Sequence, residues 1–187
     1  TAKYIEENYK GKQVELLTVG KKGFDILSKS FKVVEKNNEI FDDLTFDNVA
    51  VIAEKIMSLF AEGRFDKVEL VYNHFKNAAT QITTIEQFLP IEPVKGAVKV
   101  NTDYIFEPSK AEIVLQLIPK SLKTQLYKAI RDSFASEHGA RMTAMHKATD
   151  NATELRDSLK LTYNKARQAA ITNEILEIVG GAEALNG

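Results

Sequence analysis

The fold of this 187-residue chain follows from one stretch, LKTQLYKAIRDSF at residues 122–134, in which large apolar side chains recur every four residues. These side chains are Leu122, Leu126, Ile130 and Phe134. Because residues four apart share one face of an α-helix, the stretch predicts an amphipathic helix. Farther along, the spacing alternates between three and four residues, at Met145, Ala148, Ala152, Leu155, Leu159, Thr162, Ala166 and Ala169. An average step of ~3.5 residues is typical of the seam of a left-handed coiled coil.

The helical pattern extends from about residue 109 to residue 185. At ~1.5 Å per residue, a helix of this length would reach on the order of 100 Å, several times the radius of a compact domain. We therefore expect most of the seam to face another helix. Its alanines allow a close approach of two backbones but bury little area, which favours a stiff shaft over an oligomerisation zipper. An ordinary core helix is the alternative, although such helices typically span only ~8–20 residues.

Three sites along the helical segment bear on its continuity. Pro119 predicts a kink near Ile118, and therefore a short helix at 109–118 followed by the long one. Gly139 is tolerated inside a helix at a cost of about 1 kcal/mol. The pair Gly180 and Gly181 predicts the end of the helix.

Residues 1–108 have the pattern of an α/β domain, and residues 109–187 form a separate helical segment. A helix precedes Gly11, and a second clear helix is capped by Asp43 or Thr45 and followed by Gly63. Another short helix is predicted at 24–30, strands are predicted at 14–19, 31–34, 67–75 and 80–89, and an extended return is predicted at 98–106. This order favours a mostly parallel, Rossmann-like sheet with one antiparallel edge, a hairpin turning at 76–79.

The composition excludes several classes of protein. The formal net charge is −1, and the segment from residue 109 onward carries 11 basic and 9 acidic residues, too weak a positive field for nucleic-acid binding. Cysteine is absent, which excludes disulfides, thiolate catalysis and cysteine-ligated zinc. No apolar run is long enough to insert into a membrane, and no secretory signal is visible. The first residues read as the end of a helix already under way, so we expect a fragment whose preceding part is missing.

No group of residues predicts catalysis. The turn from Gly20 to Gly23 lies where a doubly wound sheet would hold a phosphate, but it lacks the third glycine of a dinucleotide fingerprint. His74, His138 and His146 do not have the spacing of a shared metal site, so solvated or packing histidines are expected. We predict no catalytic residue, no cofactor and no metal ligand.

The helical segment carries motifs of a known family. These are ASEHGARMTAM at 135–145, ATDNA at 148–152, YNKARQAAITNE at 163–174, Glu177 and Gly181-Ala182, preceded by DYIFEP at 103–108. They closely resemble the gamma subunits of F-type ATP synthases, most nearly the bacterial ones. His138-Gly139 departs from the Gln-Ala that relatives more often carry, which loosens the helix locally.

The resemblance implies a Rossmann-like domain and a coiled coil of antiparallel N- and C-terminal helices, of which the N-terminal helix and the first strand would precede Thr1. It implies a non-catalytic subunit of an enzyme complex, the central rotor shaft that couples proton flow through a membrane ring to the catalytic beta subunits. The implied partners are the alpha, beta and epsilon subunits, the membrane c-ring and the missing N-terminal helix. The implied location is peripheral, on the cytoplasmic face of the bacterial inner membrane, with nucleotide bound by the partners.

By the same resemblance, two groups of residues make the contacts. The rotor–stator contacts, which face acidic loops of the beta subunits, are assigned to Arg141, Arg167, Gln168, Thr172 and Glu174. The foot contacts, with the epsilon subunit and the membrane ring, are assigned to Tyr104, Phe106 and Glu107. The alternative function is a small-molecule-binding α/β domain with a helical dimerisation arm, which would bind its ligand at the Gly20–Gly23 rim.

Overall fold

The computed structural model describes residues 1–91, 106–107 and 109–186, with side chains as far as residue 184. The helices and strands, in chain order, are α1 (Ala2–Asn8), β1 (Glu15–Val19), α2 (Lys21–Leu27), β2 (Lys32–Asn37), a short 3-10 helix (Glu39–Phe41), α3 (Phe46–Ala61), β3 (Val68–Asn77), β4 (Thr80–Leu89) and α4 (Lys110–Asn186). The α/β class and the long C-terminal helix are confirmed. The extended return predicted at 98–106 lies, except for its last residue, outside the described residues.

The four described strands form two separate two-stranded sheets. β1 and β2 are parallel and joined through α2, whereas β3 and β4 are an antiparallel hairpin that turns at residues 78–79. The expected single sheet with an antiparallel edge is therefore not formed among these strands. Side-chain packing joins the two pairs instead, because Leu17 and Val19 of β1 and Val68 and Leu70 of β3 contact the same hydrophobic core.

Local signals set the ends of α3 as predicted. The Thr45 hydroxyl accepts a hydrogen bond from the Asn48 amide at 3.4 Å, and the Asn48 side chain donates to the Asp43 carboxylate at 3.0 Å. Gly63 follows the helix with φ +74°, a left-handed conformation that glycine adopts without steric cost. In contrast, α2 begins at Lys21, three residues before the predicted start.

The core lies between α3, β4 and the first part of α4. Its buried members are Val49, Ile52, Ala53, Phe88, Leu89, Leu122, Leu126 and Ile130. The four-residue spacing that predicts the helix at 122–134 is thus the spacing of core contacts. As a result, the compact unit extends past the expected boundary at residue 108: one unit is Thr1–Glu137 and the other is His138–Gly187.

The long helix begins at the expected position but differs from the sequence expectation at two later places. Ser109 caps it, because its hydroxyl accepts a hydrogen bond from the Glu112 amide at 3.3 Å. The helix then continues through Pro119, so the predicted break after residue 118 is wrong. Proline removes the hydrogen bond to the carbonyl of Leu115, but Leu115 is 74% exposed, so water can satisfy that carbonyl.

The predicted stop at Gly180 and Gly181 is also wrong, because α4 continues to Asn186. A glycine ends a helix when it adopts a left-handed conformation, and neither of these glycines has a positive φ. A Cβ atom at either position would meet nothing within 4 Å.

Candidate functional site

The second unit consists of one helical segment that exposes its side chains. Every side chain described from residue 144 to residue 184 is exposed, including the predicted seam. Leu155 and Leu159 are 61% and 59% exposed, and Ile175 and Leu176 also face solvent. Large apolar groups at this density on one helix indicate a surface that another protein element covers, because soluble proteins rarely expose such patches.

The five predicted rotor–stator residues all lie on this segment and are exposed. Arg167 and Glu174 are seven residues apart, and Gln168 and Thr172 are four apart, so each pair lies on one side of the helix. The Thr172 hydroxyl donates a hydrogen bond to the Gln168 carbonyl at 2.9 Å and keeps its lone pairs as acceptors. The helix therefore presents a guanidinium, an amide and a carboxylate within about two turns, groups that can exchange hydrogen bonds with a partner.

Of the predicted foot residues, Tyr104 lies outside the described residues. Phe106 is 44% exposed, with the Lys110 ammonium 5.8 Å from its ring centroid, and Glu107 is exposed. An aromatic ring beside a cation and a carboxylate can take part in a mixed polar and apolar contact.

The turn at Gly20 packs against its own domain. Gly20 has φ +100°, and its amide donates a hydrogen bond to the Asn37 carbonyl at 3.0 Å. A Cβ atom there would lie 3.3 Å from the edge of the Phe41 ring. Two surface grooves, of about 440 and 550 Å³, lie elsewhere, one along Phe88, Ile91 and Leu117 and the other near α1. The close packing at Gly20 gives the alternative ligand site no support.

The first part of α4 is attached on one side by polar contacts that the sequence analysis missed. Gln125 donates to the Glu86 carboxylate of β4 at 2.8 Å and to the Gln87 carbonyl at 3.3 Å. Nδ1 of His74 on β3 lies 2.7 Å from an Asp132 carboxylate oxygen. These contacts attach the β3–β4 hairpin to the helix.

Ser136 adds a further contact on that side. It is 1% exposed, and its hydroxyl donates to the Asn73 carbonyl of β3 at 2.9 Å. We call Gln125, Asp132 and Ser136 the hairpin row. His74, considered above as a solvated or packing histidine, is 46% exposed and makes its polar contact with Asp132 at the surface. Its partner lies 58 residues away, so local sequence carries no signal for the pair.

A second set of contacts attaches α4 to α3 and the 3-10 helix. Lys123 forms an ion pair with Glu54, and the Tyr127 ring meets Phe46 edge-on, with centroids 5.7 Å apart. The Phe134 ring stacks on Phe41, with centroids 5.6 Å apart and an interplanar angle of 12°. We call Lys123, Tyr127 and Phe134 the α3 row. The two rows hold α4 on either side of its buried apolar face.

Neither a metal-binding cluster nor a membrane-spanning helix occurs over the described ranges 1–91, 106–107 and 109–186. No cluster of three or more metal-ligating side chains occurs there. No helix in the same ranges is long and apolar enough to cross a membrane.

The chain is similar to proteins of one family. The family model described as ATP synthase matches residues 1–185. The chain is 73% identical over 180 residues to the ATP synthase gamma chain of Flavobacterium johnsoniae, an alignment that covers 96% of this chain and 63% of the relative. It is 68% identical over 186 residues to the gamma chain of Christiangramia forsetii, an alignment that covers 99% of this chain and 65% of that relative. The chain thus spans just under two thirds of the length of these curated relatives.

Solved structures show the same fold. A chain of the Euglena gracilis mitochondrial ATP synthase (OSCP/F1/c-ring) matches with a TM-score of 0.66 at 21% identity, covering 98% of this chain and 66% of that one. A chain of the Tetrahymena thermophila central stalk and c-ring structure matches with a TM-score of 0.58 at 24% identity. This match covers 79% of this chain and 66% of that one. The curated relatives named above are gamma chains, and from these matches we conclude that the chain belongs to the ATP synthase family.

Proposed function

We propose that this chain forms part of the central rotor shaft of a proton-translocating F-type ATP synthase. In this role it is a non-catalytic subunit that couples proton flow through a membrane ring to conformational changes of the catalytic beta subunits. An asymmetric shaft can favour one conformation of each beta subunit by contacting it differently at each angle, which is a coupling free energy.

The observation that carries the proposal is the exposure of the helix over residues 144–184. A single helix whose large apolar side chains are in water is only marginally stable, since most helical stability in proteins comes from packing. The seam with its alanines suits a close helical neighbour, and we assign that place to the N-terminal helix of the complete gamma chain, in an antiparallel coiled coil. The remaining helix surface is then available to the alpha and beta subunits.

The rotor–stator contacts in this proposal are Arg141, Arg167, Gln168, Thr172 and Glu174. Charge-assisted hydrogen bonds from a guanidinium to acidic loops of a beta subunit are directional and strong. They also form and break in water without the large area burial that would hold the shaft at one angle. This suits a surface that must leave each contact as it turns.

The α/β domain forms the foot in this proposal. Phe106 and Glu107, together with Tyr104, contact the epsilon subunit and the c-ring. The complex would then hold this chain peripherally, at the cytoplasmic face of the bacterial inner membrane. Nucleotide binds to the partner subunits.

The test is co-expression of the complete gamma chain with alpha and beta subunits, comparing the unmodified chain with Arg167→Ala/Gln168→Ala. We expect assembly in both cases and ATP hydrolysis lowered about tenfold in the variant, equivalent to ~1.4 kcal/mol of lost coupling. The matched control is Lys147→Ala, an exposed cation about 160° around the helix axis from Arg167 and ~30 Å away along it. It should hydrolyse ATP at the unmodified rate.

Failure of the unmodified chain to assemble with alpha and beta subunits would refute the proposal. Equal losses in Lys147→Ala and in the double variant would place the contact elsewhere on the shaft. Tight nucleotide binding by the chain alone would support the small-molecule-binding alternative.

A further inference from the structure

The hairpin row and the α3 row lie on roughly opposite sides of α4. At 3.6 residues per turn, Gln125, Asp132 and Ser136 fall within about 40° of one another around the helix axis. Lys123, Tyr127 and Phe134 cluster in the same way, about 180° from the first row. The observed contacts agree, because the residues of the first row bond to β3 and β4, whereas those of the second row contact α3 and the 3-10 helix.

The apolar face between the rows provides cohesion but little resistance to turning. Leu122, Leu126 and Ile130 are 5–6% exposed and pack into the core. Hydrophobic contact is non-directional, so a helix on an apolar surface can roll without losing all of it. Hydrogen bonds weaken steeply as their angles change, so the polar contacts of the hairpin row oppose such a roll.

We propose that the two rows together are the lock through which turning force passes between the α/β domain and the long helix. Two contacts on opposite sides of an axis form a couple, so the hairpin and α3 can resist rotation of α4 about its own axis in either direction. The force then continues along the unbroken backbone of α4 to Asn186. This inference rests on the proposed rotor function.

Burial and geometry single out Asp132 and Ser136 within the lock. They are one helical turn apart and contact consecutive residues of β3, His74 and Asn73. Ser136 is almost fully buried, so water competes little for its bond, whereas the bond between Asp132 and His74 lies at the surface, with side chains 24% and 46% exposed. Both residues are positioning residues, since nucleotide and the reacting atoms would lie in the partner subunits.

The test uses the assembled ATP synthase containing the complete gamma chain, with Asp132→Asn and Ser136→Ala introduced together. In membrane vesicles we expect ATP hydrolysis to stay near the unmodified rate, while the protons pumped per ATP hydrolysed fall at least twofold against a proton gradient. A role in folding alone would lower both together. The matched control makes the same two chemical changes at exposed positions of the α/β domain, Asp66→Asn and Ser58→Ala, and should leave both readouts unchanged.

Exchanging the two residues of the His74–Asp132 pair tests whether the pumping ratio can be rescued. His74→Asp combined with Asp132→His restores a histidine–carboxylate pair, and the pumping ratio should rise above that of Asp132→His alone. Hydrogen exchange on the chain by itself gives a readout independent of the complex. The amides of residues 122–136 should exchange at least tenfold faster in the Asp132→Asn/Ser136→Ala variant.

The outcomes separate the lock from the rotor function. Faster exchange with an unchanged pumping ratio would overturn the lock and leave the rotor proposal standing. An unmodified complex that assembles but does not pump protons would overturn the rotor proposal itself. If the double variant does not assemble, Asp132→Asn alone, which keeps the shape of the side chain, makes the same comparison.

Discussion

The Tyr72 hydroxyl donates a hydrogen bond to the Glu86 carboxylate at 3.0 Å, across the β3–β4 hairpin. The other oxygen of that carboxylate accepts from Gln125 of α4 at 2.8 Å. One carboxylate thus connects both strands of the hairpin to the long helix. Burial and the hydrogen bond to Glu86 raise the pKa of Tyr72 to about 12.

Tyr72→Phe should change the response of the protein to alkaline pH. Because the folded pKa of Tyr72 is raised above its unfolded value of 10.0, its contribution to stability is complete below pH 10 and is lost as the pH rises towards 12. The difference in free energy of unfolding between the unmodified chain and Tyr72→Phe should therefore shrink across this range. Urea unfolding at several pH values measures this difference. A difference that stays constant with pH would contradict the raised pKa of Tyr72.

Glu15→Gln should change the acid response. The hydrogen bond from Lys32 at 2.5 Å, aided by Arg64 at 3.1 Å, lowers the pKa of Glu15. Its contribution is therefore present above the ordinary value of 4.5 and is lost as the pH falls through the lower folded pKa. Between pH 7 and pH 3, the free energy of unfolding measured with urea should fall less in the variant than in the unmodified chain. Glu7→Gln, at an exposed pair with Lys3, is the control and should follow the unmodified curve.

Leu126→Ala and Leu155→Ala make the same chemical change in the two compact units. Leu126 is 5% exposed in the core, so its truncation should cost ~2–5 kcal/mol of unfolding free energy. Leu155 is 61% exposed, so in the isolated chain its truncation should stay within about 0.5 kcal/mol. Thermal or urea unfolding followed by circular dichroism compares them. A large cost at Leu155 would show that the isolated chain already covers its seam.

Gly180→Ala tests the continuity of the long helix. Because the helix passes through Gly180 with open space where a Cβ would lie, alanine should stabilise it by about 1 kcal/mol. Gly63→Ala, at φ +74°, should instead destabilise the domain. Helix content by circular dichroism reports the first change and unfolding midpoints report the second. Destabilisation by Gly180→Ala would instead indicate that the helix ends at that residue, as the sequence predicted.

Much of the fold could be predicted because its signals are local. The cap at Thr45 and the hairpin ending at Leu89 each depend on residues close together in sequence, and each lies where it was predicted. The errors at Pro119 and Gly180 have one origin. A residue that disfavours helix on average was interpreted without its surroundings, and both residues lie in a long helix that tolerates them.

The candidate contact residues came from the family motifs, and their roles stay predictions. The exposure of Arg167, Gln168 and Glu174 is compatible with those roles. The rows that attach α4 could not be predicted in this way, since each bond joins residues at least 38 positions apart.

The sequence by itself determined that the chain has an α/β domain and a long helix, because the periodicity and caps that specify these elements act over a few residues. Only the tertiary structure decided that the spacing from Leu122 to Ile130 is a core face and that the later seam from Met145 to Ala169 is exposed. Both stretches have a helical period, and the period alone does not say what covers it. The difference arises because α3 and β4 bury the first stretch, while in the second unit no described side chain from 144 to 184 is buried.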